Sequence, residues 1–364
     1  MMNSSTTLTS PEIAAHAAAG VEFRIVDPLA DADWDTTVSK HPDATFFHSA
    51  SWAATLKETY GFPCRYIVAM KNGELRGLLP IMEARSWLQR ARGVSLPFTD
   101  ECPPLVSPDV SAESLFEFAV REGNLRGWKY LELRGGYDCA VNAGPGTPFL
   151  GHRLALISSS SEIFEKFESA VRRAVRKAER AGVTVRFGTD LQSVRAYYRL
   201  HCRTRTRHGA PPQPFRFFQS LCQRVLEAGH GFVALAIYNE KPIAGAVFLQ
   251  FARRAIYKFS ASDERSQEHR GANVVIWKAI CKLADAGAAE LNFGKTSMSN
   301  EGLRRFKQGW GTEEYPIHYA RYSFARRSFV KVDDLASGAQ ARAFAVLPVI
   351  VSKWIGRAVY PHLN

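Results

Sequence analysis

A chain of 364 residues exceeds one ordinary hydrophobic core, so two domains are expected. Its 46% hydrophobic and 12% aromatic content excludes a low-complexity or disordered protein, and no apolar run reaches the roughly 18–20 residues that would span a bilayer. The net charge of +12, from 47 Lys+Arg against 35 Asp+Glu, favours anionic partners and says nothing of fold.

In chain order, residues 1–20 lack both the basic and the apolar region of a signal peptide and read as a flexible tail, which points to the cytoplasm. The six cysteines lie far apart with no C-x-x-C and no His/Cys cluster, so neither a disulfide framework nor a metal site is expected. From Val21, VEFRIVDPLADADWDTTVSKH alternates like a strand and then takes helical spacing. Around Gly77, IVAMKNGELRGLLPIMEA reads as a hairpin whose second strand begins at the glycine. The loop SLPFTDECPP, 95–104, follows an apolar strand. SAESLFEFAVREGNLRG then reads as a helix, closed by Gly127 before the strand of GWKYLELRGG.

A linking segment follows. Its basic helix, 161–182, starts with the capping pattern Ser159-x-x-Glu162 and stops at Gly182. From there the chain repeats itself. VTVRFGTDLQSVRAYYRLHCRT from Val183 matches the stretch at Val21, LAIYNEKPIAGAVFLQF around Gly245 matches that around Gly77, and GAAELNFGKT from Gly287 matches GWKYLELRGG from Gly127. Three matches in one order at a nearly constant spacing indicate a duplicated unit. Each unit reads strand, helices, hairpin, strand, helix, strand, which makes an α/β (α+β) fold with mixed sheets flanked by helices, twice over. The units are set at 21–150 and 151–330, with a helical tail at 331–364.

Two carboxylate pairs are candidates for proton transfer: Asp100 with Glu101, and Asp263 with Glu264 at the matching place in the second unit. The alternative for both pairs is a turn or helix cap. The basic helix carries acid early and base late, which suits the helix dipole as well as an anion. RTRTRH, 203–208, is denser, and its Arg203 and Arg205 are read as phosphate ligands. Lys295 follows a strand-ending glycine where backbone N–H groups can form a nest. The apolar tail 341–360 with Lys353 and Arg357 offers peripheral membrane contact or packing on its own domain.

The hairpin glycines, SLPFTDECPP and the closing NFGKTS…GLRRFKQGWG together resemble the FemAB-type acyltransferases, tandem-domain relatives of the GNAT N-acetyltransferases, over residues 40–325. The resemblance implies two GNAT-like domains. It also implies transfer of an acyl or aminoacyl group from a thioester or ester to an amine of a cell-envelope or exopolysaccharide precursor, and phosphate contacts for Lys258, Lys295 and Lys307. Acyl-CoA is the donor it suggests, although the acetyl-CoA signature Arg/Gln-x-x-Gly-x-Gly/Ala is absent, HRGAN at 269–273 being the nearest stretch. An aminoacyl-tRNA donor is the alternative, although the long helical arm of the peptidoglycan-bridge members is missing. A non-catalytic nucleic-acid-binding protein is the other, although no aromatic interrupts RTRTRH. The acceptor is expected to be an anionic or lipid-linked sugar, met in the cytoplasm or at the inner membrane face. Asp100, Arg205, Lys258, Lys295 and Lys307 are expected to share one cleft at the junction of the units.

Overall fold

A computed structural model describes residues 20–86, 89–136, 147–331 and 349–360. The first half runs β1 (Glu22–Val26), α1 (Trp34–Val38), α2 (Ala50–Tyr60), the hairpin β2 (Tyr66–Lys71) and β3 (Glu74–Leu79), then β4 (Met82–Ser86), β5 (Gln89–Val94), β6 (Leu105–Val106), α3 (Ala112–Arg126) and β7 (Tyr130–Arg134). After β8 (Thr147–Ala155) come α4 (Ser160–Lys166), α5 (Ser169–Arg180), β9 (Thr184–Gly188), α6 (Leu191–Arg207) and α7 (Phe215–Leu221). The hairpin β10 (Gly231–Tyr238) and β11 (Lys241–Phe251), β12 (Arg254–Ser262), α8 (Gly271–Asp285), β13 (Glu290–Asn292) and β14 (Thr296–Ser297) follow. Last are α9 (Glu301–Gln308), β15 (Glu313–Ser323), β16 (Ser328–Val330) and α10 (Val349–Val359).

The duplication extends to backbone detail. Asn72 and Gly73 (φ 52° and 80°) turn the first hairpin, and Asn239 and Glu240 (φ 47° and 58°) the second. Two consecutive positive φ values are the signature of the type I′ turn that matches strand twist. Each hairpin then shifts register once, at Ala69/Met70 and at Ala236/Ile237. The second strands start straight after these turns, at Glu74 and Lys241, and so earlier than the glycines suggested. Gly77 lies inside its strand, at a position where a Cβ would come within 2.9 Å of Val110 Cγ1.

The expected single helix over 161–182 is two. The capping box forms as read, with Glu162 accepting from the Ser159 N–H at 2.9 Å. Phe167 then turns extended (ψ 147°). Its ring is buried edge-on against Trp277 and Trp310, and the next N–H, that of Glu168, donates to Gly309 O at 2.9 Å. Tertiary packing outweighs the local helical pattern here.

The larger sheet orders its strands β4-β5-β7-β15-β8-β13-β12-β11-β10-β9, and β1, β2, β3 and β6 form a smaller one. The two halves exchange strands. β8 leaves the first half to pair with β13, and β15 returns from the second half to lie between β7 and β8. The boundary set at 150/151 falls inside β8. One core also joins the halves, where buried Trp52 of α2 packs edge-on against Phe217 of α7. Together the exchange and this core place the first half's 95–104 loop over the open end of the second half's sheet.

Among the described residues no helix is long and apolar enough to cross a membrane. Of the tail read as 331–364, only α10 and Tyr360 follow Lys331 in the described residues, and Pro348 lies outside them. α10 packs on the chain itself. A Cβ at Gly356 would sit 2.1 Å from Pro212 O, and Tyr360 is buried.

Candidate active site

The 95–104 loop departs from allowed-by-default backbone. Leu96 and Phe98 both hold left-handed φ values of 59° and 58°. Such strain persists only where surroundings over-determine it. Here Arg134 Nη1 donates to both Leu96 O and Thr99 O at 3.1 Å, and Ser95 Oγ donates to Cys102 O at 2.9 Å. Trp52 Nε1 donates to Thr99 Oγ1 at 3.0 Å, and Tyr319 Oη, from β15, donates to Asp100 O at 2.6 Å. His48 accepts from Thr45 N–H at Nδ1, which leaves its Nε2–H to donate to Pro103 O at 2.9 Å. Burial drives that imidazole's pKa down to about 4, so it is a neutral brace. Arg134 is itself fixed by Glu132, whose carboxyl also takes Arg321; despite burial, the two guanidiniums hold its pKa down at about 2.

This framework delivers Asp100 and Glu101 to the place where the second half's sheet opens. β12 and β13 run parallel only through Ile256↔Asn292. Just beyond, Val247 pairs Phe259 while Phe248 pairs Tyr257, so Lys258 is the extra residue of a β-bulge. Bulges re-aim a side chain. Lys258 Nζ reaches Asp100 Oδ2 at 2.9 Å, with only 6% of its side chain exposed. On the other side of the opening, Gly294 takes φ +72°, and a Cβ there would lie 3.1 Å from Asp100 Oδ2. Lys295 follows, its ammonium 3.9 Å from the centre of the Phe149 ring and 4.2 Å from that of Tyr319. Lys307, on α9, is buried and donates from Nζ to Gly294 O at 2.8 Å and Lys295 O at 3.0 Å. It ties the turn that carries Lys295.

The two carboxylates differ. Burial works to raise the pKa of Asp100, but the Lys258 ammonium, with Lys295 and Lys307 behind it, outweighs burial and holds it below the ordinary value. Glu101 is raised: burial dominates, only partly countered by the Tyr315 hydroxyl that donates to Oε2 at 2.6 Å and by Arg153. Tyr315 is positioned by Asn292 Nδ2 at 2.8 Å and by Arg153 stacked 4.2 Å over its ring. Its ring fits only because residue 151 is glycine, where a Cβ would come within 2.2 Å of Tyr315 Cζ. Burial pushes Lys307 down to about 8, against the pull of Asp100. Asp100, Glu101, Asn292, Gly294 and Lys295 line a common small cavity with Phe47.

Residues 165–315 match the family described as acetyltransferase (GNAT) domain. Among solved structures, the crystal structure of FemX superposes with a TM-score of 0.66 at 14% identity, covering 82% of this chain and 96% of its own. A tandem GNAT protein from the clavulanic acid biosynthesis pathway gives 0.53 at 10% identity, covering 83% and 98%. No curated protein matches the sequence. The chain has the tandem GNAT fold and carries a GNAT acetyltransferase domain. Its enzyme class is therefore that of an acyltransferase.

In this GNAT domain the N-terminus of α8 supplies a second feature. Residues 267–272, Gln-Glu-His-Arg-Gly-Ala, keep the glutamine and the small last residue of the acetyl-CoA signature and put Arg270 at its first glycine. Arg270 nevertheless adopts φ 54°, the conformation a glycine would supply. Around it Arg173, Lys177, Gly271, Ala272 and Phe306 line a cleft of about 620 Å³.

The geometry brings Asp100, Lys258, Lys295 and Lys307 together and leaves the arginines out. Arg205 donates from Nε to Pro211 O and from Nη2 to Tyr360 Oη, so it serves the docking of the C-terminal helix rather than the expected shared cleft. Arg203 is 63% exposed on its side chain and pairs Asp263 at 3.0 Å. Asp263 caps the short helical turn after β12 by accepting from Arg265 N–H, the turn-former role weighed as its alternative. Tyr315, Tyr319, Arg134 and Asn292 were not singled out from the sequence. The alternation of EYPIHYARY does put Tyr315 and Tyr319 on one face of a strand.

Proposed function

We propose that the protein is an N-acyltransferase that moves an acyl group from a thioester or ester donor to an amine of an anionic cell-envelope or exopolysaccharide precursor, in the cytoplasm or at the inner membrane face. The observation that carries this is the raised carboxyl of Glu101, bonded to Tyr315, at an opening of the sheet ringed by Lys258, Lys295 and Lys307. Acyl transfer needs an acceptor for the amine's proton and donors for the tetrahedral oxyanion. Glu101 is suited to the first task, since burial keeps it a better base than an ordinary glutamate. Asp100, neutralised by Lys258, positions the loop and balances the lysines. Lys295 lines the cavity and offers positive charge to an anionic acceptor, while Lys307 fixes the turn beneath it.

For the donor, acyl-CoA is favoured by the cleft at α8, where Arg173, Lys177 and Arg270 gather at a helix N-terminus suited to phosphate. That cleft meets β12 at Ser262, four residues past Lys258 and so about 13 Å along the strand. The acetyltransferase-domain match favours an enzyme over a non-catalytic nucleic-acid binder. The test is release of free thiol from a panel of acyl-CoA esters in the presence of amino sugars and amino-sugar nucleotides, with aminoacyl-tRNA as a parallel donor. Turnover with CoA esters that falls in Lys295→Ala through the acceptor's KM is expected. Silence with CoA esters but transfer from aminoacyl-tRNA would move the donor to the alternative, and silence with both would defeat the reading.

A further inference from the structure

A second cleft, of about 980 Å³, lies between α2, α6, α7 and α10. Five cations line it: Arg195 and Arg199 from α6, Arg216 from α7, and Lys353 and Arg357 from α10. Among the described residues none of the five makes an ion pair. The nearby carboxylate, Glu58, pairs with Arg224 and accepts from Ser220 Oγ at 2.8 Å, and of the five cations Arg216 adds its charge to that acid without pairing with it. This placement is unfavourable by itself. Arg195 and Arg199 are spaced i,i+4, as are Lys353 and Arg357, a spacing at which like charges destabilise a helix. Arg216 stands in the first turn of α7, at the end where a helix repels cations. Elsewhere on this chain exposed arginines such as Arg203, Arg224 and Arg305 are paired with acids.

The floor of the cleft is aromatic. Tyr60, Tyr198 and Phe215 line it, and Lys353 Nζ sits 5.5 Å over the Tyr198 ring. The Tyr60 hydroxyl is buried with no hydrogen-bond partner among the described residues. Tyr60 also packs on Phe98 at 4.7 Å between ring centres, two residues before Asp100, so the cleft and the active-site loop share a wall. We propose that this cleft is a binding site for a polyvalent phosphate group, a diphosphate or its equivalent, attached to an apolar or flat portion that lies on the tyrosines. Guanidinium forks match phosphate oxygens in pairs, and one such group would relieve the repulsion on three helices at once. The proposal stands on the cleft alone and holds whether or not the chain transfers acyl groups.

The experiment titrates the full chain with inorganic pyrophosphate by calorimetry at low salt, and in parallel floats it with vesicles of phosphatidylcholine with or without phosphatidylglycerol. Pyrophosphate binding to a site that weakens at least tenfold in Arg199→Ala/Lys353→Ala and persists in Arg173→Ala/Lys177→Ala, whatever separate second site those two remove at the α8 cleft, is the expected result. All four side chains are exposed, so unchanged melting temperatures should accompany both variants. Arg195→Ala/Arg216→Ala provides a second pair should the first fail to fold. Flotation with anionic vesicles that pyrophosphate competes away identifies the phosphate as a lipid headgroup. Pyrophosphate binding without flotation identifies a soluble ligand. Equal weakening in the α8 variant, or neither binding nor flotation, would overturn the site.

Discussion

Asp100 and Glu101 are consecutive residues held in opposite electrostatic settings, and the contrast has consequences that pH can read. Glu101 is raised by burial and Lys307 lowered to about 8, so a bell-shaped pH–rate profile is expected. Its rising limb should lie above the ordinary glutamate range as Glu101 loses its proton. Its falling limb should lie near 8, as Lys307 loses the proton and charge with which it ties the turn that carries Lys295. Glu101→Gln should remove the rising limb and lower kcat by ~100-fold or more. Lys307→Arg should move the falling limb upward, and an unchanged limb would assign it elsewhere. Asp100→Asn acts on stability instead. Because the Asp100 pKa is depressed in the folded chain, its contribution is present above the unfolded value near 3.8 and is lost as pH falls through the folded value. Breaking the pair with Lys258 should cost about 1–3 kcal/mol near pH 7, below the range for fully buried pairs because the Asp100 side chain is 26% exposed. Chemical denaturation at pH 7 and pH 3 measures it, and the penalty should shrink at the lower pH.

At the scale of elements, the active-site loop is braced by three strands, and Gly151 on β8 makes the closest fit. Gly151→Ala puts a methyl into the Tyr315 ring, so the ring must shift and its bond to Glu101 lengthen or break. We predict a loss of kcat comparable to that of Tyr315→Phe, with a melting temperature nearer the parent's than the activity is; wild-type turnover in Gly151→Ala would separate Tyr315 from the chemistry. What was legible here followed chain distance. The hairpins, the caps at Ser159 and Gly127 and the repeated unit were visible because short polar turns, capping boxes and alternation are local codes. The Asp100 loop and the lysines of the closing segment were visible as residue types at strand ends. The break at Phe167 was not, because Trp310 and Gly309 cause it from more than a hundred residues away. Nor was the separation of Arg205 from Lys295, since a dense basic run says nothing of which carbonyl or hydroxyl it meets. Tyr315 and Tyr319 looked like ordinary strand aromatics until β15 proved to lie beside the first half.

Across the whole molecule, the exchange of β8 and β15 joins strands of both repeats in the larger sheet. Neither repeat can close its sheet alone, and the buried contact of Trp52 with Phe217 adds a shared core. A single cooperative unfolding transition in urea is therefore expected, with coincident curves from tryptophan fluorescence and far-ultraviolet circular dichroism. Two separated transitions would show that the halves are energetically independent.

The same exchange sets an order of events during synthesis. β15 lies between β7 and β8 in the sheet but is made after every strand except β16, so a ribosome that has released residues 1–310 presents β7 and β8 with their common neighbour missing. Until then the active-site loop lacks Tyr315 and Tyr319, and the nascent chain holds two unpaired edges that invite the wrong partner. A chain ending at residue 310 should be protease-sensitive and aggregation-prone, and adding a peptide of residues 311–331 should restore its protection. Assembly of the 95–104 loop is thereby deferred until translation is nearly complete.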